Sequence, residues 1–283
     1  MRDKANKLSE ASPKHIYYQL LVIIMGIDSF RSNSSHTDFP RSQINAEAID
    51  RVCQLLEKAE ITDCNLLYRG SNYVFIVTLV NNSRETKAVY KPRQGEAPLY
   101  DFPDGTLYKR EYTAFLMSQA LEWYLVPPTV IRSGPFGIGT MQWFVDTGNR
   151  ANYDSVMSKD LPRLKQVALF DYLVNNADRK AGHFLEGQDG RLWVIDHGLT
   201  FNTEPKLRTV LWDFSGQSIP EQLISDVKSL QERLKQDKLL REMLHQLLAV
   251  PEVAALEQRL RRVIENPVFH HPESYRSVPW PWI

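Results

Sequence analysis

The sequence predicts an α+β fold with two lobes, a small N-terminal lobe built on an antiparallel sheet and a larger, mostly helical C-terminal lobe. Between residues 66 and 145, short apolar runs alternate with turn residues, which is typical of antiparallel strands. From residue 167 onward, apolar residues recur mainly at helical spacing. The chain has 283 residues, of which 43% are hydrophobic and 24% charged, and this usage suits a globular body with a sizeable core.

Composition narrows the class of protein further. The 34 basic and 34 acidic residues balance, so the chain lacks the overall positive charge of a nucleic-acid binder. Two cysteines, Cys53 and Cys64, make neither a disulfide framework nor a metal motif, and we expect a reducing, cytoplasmic location. The apolar run at residues 16–27 is shorter than the roughly 18 residues that a membrane helix needs, so no integral membrane segment is expected.

The N-terminal lobe is assigned to residues 45–148, after a loosely ordered extension over residues 1–44. A helix is expected from Asn45, followed by a strand, turn and strand over residues 66–80 with its turn at residues 70–72. A returning strand ends at Lys91, and a loop punctuated by proline and glycine precedes a helix that carries Glu111. Two more strands, at residues 126–131 and 139–145, complete the predicted sheet.

The C-terminal lobe is assigned to residues 149–283, and its first part holds the most informative stretch of the chain. An apolar helical run ends near Val174 and is followed by a polar loop over residues 175–183. A hairpin over residues 184–195 then leads into Asp196. Residues 199–216 read as an irregular loop, and amphipathic helices are predicted to begin at Pro220 and Pro251.

Two acidic residues flank this hairpin, one in the loop before it and one directly after it. Phosphoryl transfer needs an acid near the acceptor hydroxyl and a second acid that holds the metal ion. Asp178 is the candidate for the first role and Asp196 for the second, and Lys180 is placed to reach the transferring phosphate. A polar turn without any catalytic role is the alternative interpretation of the same residues.

A lysine at the end of a strand adds a possible phosphate contact. Lys91 would pair with nucleotide phosphates if an acid held it in place, and Glu111 is the candidate acid because it lies on the apolar stripe of its helix. The turn at residues 70–72 would cover the phosphates through backbone N–H groups, with Ser71 as an added donor. An ordinary hairpin turn and a surface glutamate remain the alternatives.

Taken together, these segments resemble a known family. The stretches NNADRKAGHFL (residues 175–185) and VIDHGLTF (residues 194–201) are similar to the catalytic and metal loops of the phosphatidylinositol 3/4-kinase-like superfamily, closest to type II phosphatidylinositol 4-kinases. Lys91 and Glu111 match the lysine and helix glutamate of those enzymes, and a group of bacterial kinase-like proteins is similar as well.

The resemblance implies a two-lobed protein-kinase-like fold that binds ATP with Mg²⁺ or Mn²⁺ and transfers its γ-phosphate to a protein or lipid hydroxyl. It implies that the strand with Gln142 runs into the interlobe hinge, where the backbone contacts adenine and Trp143 or Phe144 supplies apolar contact; core packing is the alternative for either aromatic. It also places His183, with Asp196, at the metal site.

Two departures from the family pattern bear on activity. The family's metal-binding asparagine is His183 here, and Mg²⁺ prefers hard oxygen ligands to an imidazole nitrogen. The cysteine-rich insertion of type II lipid kinases has no counterpart in the loop at residues 93–105, which weakens the case for a lipid acceptor. A nucleotide-binding pseudokinase and an enzyme that transfers AMP are therefore the alternative functions.

Overall fold

The computed structural model describes residues 46–67, 70–147, 161–273 and 277–281, and it confirms the predicted fold class. An antiparallel sheet with two flanking helices forms the N-terminal lobe, and helices dominate the C-terminal lobe. The predicted extension and the first part of the connector between the lobes, residues 149–160, lie outside the described residues. The exact boundary between the lobes stays a prediction.

The sheet of the N-terminal lobe has five strands in the order β1-β2-β3-β5-β4, with every neighbouring pair antiparallel. The first strand begins at residue 60 rather than at residue 66, so the sheet is longer at this edge than the apolar pattern predicts. Exposed polar side chains along residues 60–65 hide this strand from a hydrophobicity pattern. The strands are β1 (Glu60–Leu67), β2 (Val74–Asn81), β3 (Arg84–Pro92), β4 (Thr129–Gly134) and β5 (Gly137–Trp143).

One helix packs on each face of the sheet, and the alternation of side chains along the strands decides which residues each helix covers. Phe75, Val77 and Leu79 are buried on the face covered by α1 (Ala46–Lys58). The opposite face carries Lys91 and packs against α2 (Leu107–Ala120), which is buried along almost its whole length. The end of β3 therefore presents its lysine toward the N-terminal half of α2.

A close approach of two strands fixes the end of β3. Gly139 on β5 pairs with Pro92, and a Cβ atom at Gly139 would lie 2.3 Å from the carbonyl oxygen of Lys91. That separation is far below van der Waals contact, so only glycine allows β5 to lie this close to β3. Lys91 itself is paired with Thr140, which holds its backbone within the sheet.

The C-terminal lobe has a short hairpin and four helices among the described residues. The run from Pro220 to Leu247 is interrupted, because Asp237 accepts hydrogen bonds from the N–H groups of Leu239 and Leu240 and so begins a new helix. Within the described residues, no helix combines the length and apolar character required to cross a membrane. The elements are α3 (Leu161–Val174), β6 (Phe184–Glu186), β7 (Leu192–Val194), α4 (Glu221–Gln236), α5 (Lys238–Leu247) and α6 (Val250–Glu265).

Candidate active site between the lobes

A cavity of about 230 Å³ lies between the two lobes, and we call it the interlobe cavity. The turn at residues 70–74, the end of β3 and the first turns of α2 form its N-lobe wall. The loops that follow α3 and β7 form its C-lobe wall. Of the nine side chains that the sequence singles out, six line this cavity: Ser71, Lys91, Glu111, Asp178, Lys180 and Asp196.

Lys91 connects the two walls of the interlobe cavity. Its Nζ atom donates hydrogen bonds to Glu111 Oε1 on α2 and to Asp196 Oδ1, the latter at 3.0 Å. Burial by itself lowers the pKa of Lys91, but the adjacent carboxylates of Asp196 and Glu111 outweigh that effect and hold the pKa above its ordinary value. The ammonium group is therefore permanently charged at neutral pH and faces the cavity from the end of a rigid strand.

Asp196 is held in an unusual backbone conformation at the end of the hairpin. Its φ is +63°, in the left-handed region that aspartate tolerates better than most residues with a side chain. The Lys91 ammonium holds the pKa of the Asp196 carboxyl well below its usual range. About half of the Asp196 side chain is exposed, so this ionised carboxylate is accessible from the cavity.

Asp178 and Lys180 lie in the loop after α3, on the C-lobe wall of the interlobe cavity. The Oδ1 atom of Asn176 accepts a hydrogen bond from the Asp178 backbone N–H at 3.0 Å, which fixes the start of the loop. Lys180 Nζ lies 3.1 Å from Asp178 Oδ2. Burial raises the pKa of Asp178 and Lys180 opposes that shift, so the carboxylate is a stronger base than an exposed aspartate.

Arg179 points away from the cavity and ties the two acidic loops together. It is fully buried and forms an ion pair with Asp171 on α3, with Nε 2.9 Å from Asp171 Oδ2. It also donates to the carbonyl oxygen of Ile195 at 2.7 Å, and its Nη2 lies 2.7 Å from His197 Nε2. Burial lowers the pKa of His197 well below its ordinary value, so the neutral ring accepts this bond.

Gln142 and Phe144, the predicted hinge contacts, do not line the interlobe cavity. Gln142 is buried in the sheet and donates to Thr129 Oγ1 at 2.9 Å. The ring centroid of Phe144 lies 5.9 Å from Lys87 Nζ, toward the outer part of β3. The structure thus does not bring these two side chains to the other candidate residues. Gln142 is hydrogen-bonded within the sheet, and Phe144 contacts Lys87 of β3. A contact of either residue with adenine stays a prediction.

Comparison with known proteins identifies the family. No protein-family model matches the chain. The chain is 37% identical over 262 residues to Protein Rv2133c of Mycobacterium tuberculosis, an alignment that covers 80% of this chain and 94% of the relative. The chain belongs to the Rv2133c family.

Solved structures resemble this member of the Rv2133c family only distantly. A crystal structure of the Golgi casein kinase has a TM-score of 0.46 at 15% identity and covers 81% of each chain. The same kinase with Mn/ADP bound has a TM-score of 0.48 at 15% identity, covering 78% of this chain and 76% of the other. The Helicobacter pylori proinflammatory kinase CtkA has a TM-score of 0.45 at 12% identity, covering 76% of this chain and 94% of the other. Similarity at this level carries no argument about activity.

The donor atoms around Asp196 fit a divalent ion that arrives together with a nucleotide. Within residues 46–67, 70–147, 161–273 and 277–281, no cluster of three His, Cys, Asp or Glu side chains is arranged to hold an ion. Mg²⁺ in nucleotide sites is bound by one or two carboxylates and completes its coordination with phosphate oxygens and water. The ionised carboxylate of Asp196 is a ligand of the type that such an ion takes.

His183 lies beside Asp196, with its Nε2 atom 3.4 Å from Asp196 Oδ2. Burial lowers the pKa of His183 to about 4, so the ring is neutral at pH 7. The backbone N–H of Lys180 donates to His183 Nδ1 at 3.4 Å, which assigns the ring proton to Nε2 and aims it at Asp196. In this tautomer His183 positions the Asp196 carboxylate, and the predicted ligand role needs the other tautomer.

Two residues at or near the site, Glu96 and Asp171, were not predicted from the sequence. Glu96 lines the interlobe cavity and accepts hydrogen bonds from the backbone N–H groups of Leu107 and Tyr108, so it caps the start of α2 from 11 residues away. No local pattern signals such a cap. Asp171 does carry a signal, because a carboxylate inside the apolar run of α3 requires a buried partner, and that partner is Arg179.

Proposed function

We propose that this member of the Rv2133c family is an ATP-dependent phosphotransferase of the phosphatidylinositol 3/4-kinase-like type. In this proposal, it transfers the γ-phosphate of ATP to a hydroxyl group of a protein or lipid. The observation that carries the proposal is the bridge that Lys91 makes between Glu111 and Asp196, in the same cavity that Asp178 and Lys180 line. Phosphoryl transfer depends on positioning and charge compensation more than on covalent chemistry, and this arrangement supplies both.

Each side chain then has a defined part in the reaction. The acceptor oxygen attacks the γ-phosphorus, the bond from that phosphorus to the bridging oxygen breaks, and ADP leaves with the bond's electron pair. Asp178 takes the proton of the acceptor hydroxyl, a role that its raised pKa favours. Lys91 compensates negative charge on the nucleotide phosphates, and Lys180 compensates charge on the transferring group. Ser71 adds a hydroxyl donor from the turn that covers the phosphates.

The metal ion in this proposal is Mg²⁺ or Mn²⁺. Asp196 would hold it, together with phosphate oxygens, and His183 either orients Asp196 or contributes its nitrogen. When bound, the ion would supply positive charge that bridges the phosphates. Free Cys53 and Cys64 are consistent with the reducing, cytoplasmic location that we propose for the protein.

Radiolabelled ATP tests the proposal directly. Purified protein is incubated with ATP carrying labelled γ-phosphate, with Mg²⁺ or Mn²⁺, and with either a protein extract or vesicles of extracted lipid. Label in the protein or lipid fraction identifies the acceptor class. We expect Lys91→Met, Asp178→Asn and Asp196→Asn to lower transfer by at least about 100-fold, the usual scale for losing an electrostatic or general-base group.

Matched variants control for a general effect on the fold. Lys87→Met removes a lysine from the same strand, and Asp104→Asn removes an exposed aspartate; neither residue lines the interlobe cavity. Both should retain wild-type transfer. Equal transfer by the wild type and the three site variants would remove the carboxylates and Lys91 from the mechanism.

A nucleotide-binding protein without transfer activity is the second candidate function. It is favoured by His183, which replaces the metal-binding asparagine of the phosphatidylinositol 3/4-kinase-like superfamily. Thermal denaturation with ATP, with and without Mg²⁺ or Mn²⁺, separates the two proposals. A rise in melting temperature that depends on Lys91, without label transfer or loss of the γ-phosphate under either metal, would support this second function. Mass spectrometry of the modified acceptor distinguishes a transferred phosphate from a transferred AMP group.

A further inference from the structure

A second cavity, of about 390 Å³, lies in the C-terminal lobe and shares no lining residue with the interlobe cavity. We call it the arginine cavity. Residues 203–208, the outer end of α3, the middle of α6 and the segment at residues 270–273 form most of its wall. Its lysine, arginine and histidine lining residues are Lys206, Arg208, Arg259, Arg262, His270 and His271.

The charges of this cavity do not cancel. Lys206 is already paired, because its Nζ lies 2.9 Å from Asp101 Oδ2. Glu273 is the one carboxylate among the described residues that line the cavity. Arg208, Arg259 and Arg262 thus leave an excess of positive charge around an open volume, and within the described part of the chain none of the three forms an ion pair with a carboxylate.

Arg259 is the most deeply buried of these three arginines. Only 8% of it is exposed, although it carries a full charge. Its Nε donates to the carbonyl oxygen of Leu173 at 2.8 Å, but its Nη2 atom has no hydrogen-bond partner among the described residues. A buried charge costs free energy, and an anion in the adjoining cavity would offset it by charge attraction and by accepting hydrogen bonds from the exposed side chains of Arg208 and Arg262.

The remaining wall of the arginine cavity is aromatic and apolar. The rings of Tyr172 and His270 stack with their centroids 4.1 Å apart, and Leu207 and Trp212 also line the cavity. Burial lowers the pKa of His270, so this ring is neutral at pH 7 and adds a flat surface rather than a charge. The cavity therefore offers guanidinium groups on one part of its wall and ring surfaces on another.

We propose that the arginine cavity binds a small phosphate monoester. A guanidinium group matches the oxygens of a phosphate in a two-pronged hydrogen-bonded geometry, and Arg259 and Arg262 lie three positions apart on α6, hence on one face of that helix. The organic part of the ligand lies against Tyr172, Trp212 and Leu207. Binding requires neither ATP nor a metal ion, so it stands or fails independently of the phosphotransferase proposal.

The arginine cavity also adjoins the loop that carries Asp178. Asn175, which lines the arginine cavity, begins the loop that leads to Asp178. The backbone N–H of Arg208 donates to the carbonyl oxygen of Asn176, and the carbonyl oxygen of Arg208 accepts from the N–H of Arg179, both at 2.9 Å. A ligand held here contacts the segment that is hydrogen-bonded to the residues flanking Asp178.

Isothermal titration calorimetry with the full chain tests the proposal, using inorganic phosphate and glycerol 3-phosphate as probes without nucleotide or metal. Tighter binding of glycerol 3-phosphate would show that the ring surfaces contact an organic group, whereas equal affinities would indicate a site for free phosphate. Arg262→Gln should weaken binding of either probe by about tenfold, the scale of one charged hydrogen bond. Arg261→Gln is the matched control, because Arg261 is exposed on the same helix and does not line the arginine cavity.

A second pair of variants tests the same cavity without changing any arginine. Ala255→Glu places a negative charge in the wall of the arginine cavity, and Ala254→Glu places the same charge on α6 outside it. Binding should be lost in the first and retained in the second, with circular dichroism to verify that both fold. Lys91→Met should bind the probes like the wild type. Absence of measurable binding to the wild type, equal loss in Arg261→Gln and Arg262→Gln, or loss in Lys91→Met would overturn the proposal.

Discussion

At the scale of single residues, the environment of the proposed base Asp178 conflicts with stability. Burial raises its pKa above the ordinary value of 3.8, so the folded chain holds a proton at Asp178 more tightly than the unfolded chain does. The ionised carboxylate therefore costs stability at pH 7, and this cost disappears as the pH falls through the raised pKa. Functional sites often carry such a cost.

We predict that Asp178→Asn abolishes transfer but raises the melting temperature at pH 7. The neutral amide avoids the desolvation of a charged group, although it gives up the charge pairing with Lys180. Thermal denaturation followed by circular dichroism at pH 7 and near pH 3 measures the effect, and the difference from the wild type should shrink at the lower pH. Asp104→Asn, at an exposed position, should leave the melting temperature unchanged at both pH values. A lower melting temperature at pH 7 would contradict the argument.

His183 lies next to Asp196, the proposed metal ligand, so we expect the residue type at position 183 to influence the preference between Mg²⁺ and Mn²⁺. An asparagine at this position would present an amide oxygen beside Asp196 instead of an imidazole nitrogen, and Mg²⁺ favours oxygen ligands. His183→Asn should therefore raise the ratio of kcat/KM with Mg²⁺ to that with Mn²⁺ by roughly tenfold, the lower end of effects seen for residues around metal sites. His245→Asn, an exposed histidine on α5, should leave this ratio unchanged. An unchanged ratio in His183→Asn would exclude His183 from the metal site.

At the scale of secondary-structure elements, one buried ion pair and the other contacts of its arginine link three segments. Arg179 contacts Asp171 on α3, the carbonyl oxygen of Ile195 at the end of the hairpin, and His197 in the loop beyond it. The acids at positions 178 and 196 lie next to these contacts in the chain. Their placement in one cavity thus depends on a side chain that points away from it.

Asp171→Asn should lower the free energy of unfolding by about 3–5 kcal/mol, because it leaves the buried Arg179 charge without its anion. Urea denaturation measures the loss. Glu232→Gln is the matched control, since it removes one partner of the exposed Lys235–Glu232 pair and should change the free energy of unfolding by less than about 1 kcal/mol. A similar small change for Asp171→Asn would mean that the other contacts of Arg179 compensate its charge.

At the scale of the whole molecule, the lobes share one hydrophobic core. A single cluster of buried side chains extends from Ile49 on α1 to Phe269 beyond α6. The segment after α2 joins the lobes directly, since the carbonyl oxygen of the fully buried Leu125 accepts a hydrogen bond from the N–H of Val194 at 2.9 Å. Arg110 on α2 also pairs with Glu252 on α6 across the lobes.

We therefore predict one cooperative unfolding transition for both lobes. Leu125→Ala should lower the free energy of unfolding by about 2–5 kcal/mol and keep a single transition, because the cavity it creates lies in the shared core. Differential scanning calorimetry and tryptophan fluorescence should report the same midpoint. Leu67→Ala, at a largely exposed position on β1, should have little effect. Two separated transitions in the wild type would show that the lobes unfold independently.

The sequence predicts a structural feature well when that feature depends on residues close together in the chain, and poorly when it depends on distant ones. The hairpin at residues 184–195, the helix with Glu111 and the alternation along β2 follow from local periodicity, and the structure has all three. Local pattern does not predict the strand at residues 60–65, because its exposed polar side chains carry no apolar periodicity. The side-chain amide of Gln142 donates to Thr129 within the sheet, a contact across 13 residues that no local rule predicts, and the hinge role of its strand stays a prediction.

Periodicity and residue type were sufficient to predict the mixed helix-and-sheet fold and the position of each acidic residue at the edge of an apolar segment, since both follow from interactions between neighbours in the chain. The division into two lobes was what the family resemblance implied. The tertiary structure alone decided which charges meet. Lys91 reaches Glu111 across 20 residues and Asp196 across 105, and Arg179 turns inward while its neighbours face the cavity. Such contacts are decided by how the lobes pack, because a buried charge is stable only where the folded chain brings a partner to it.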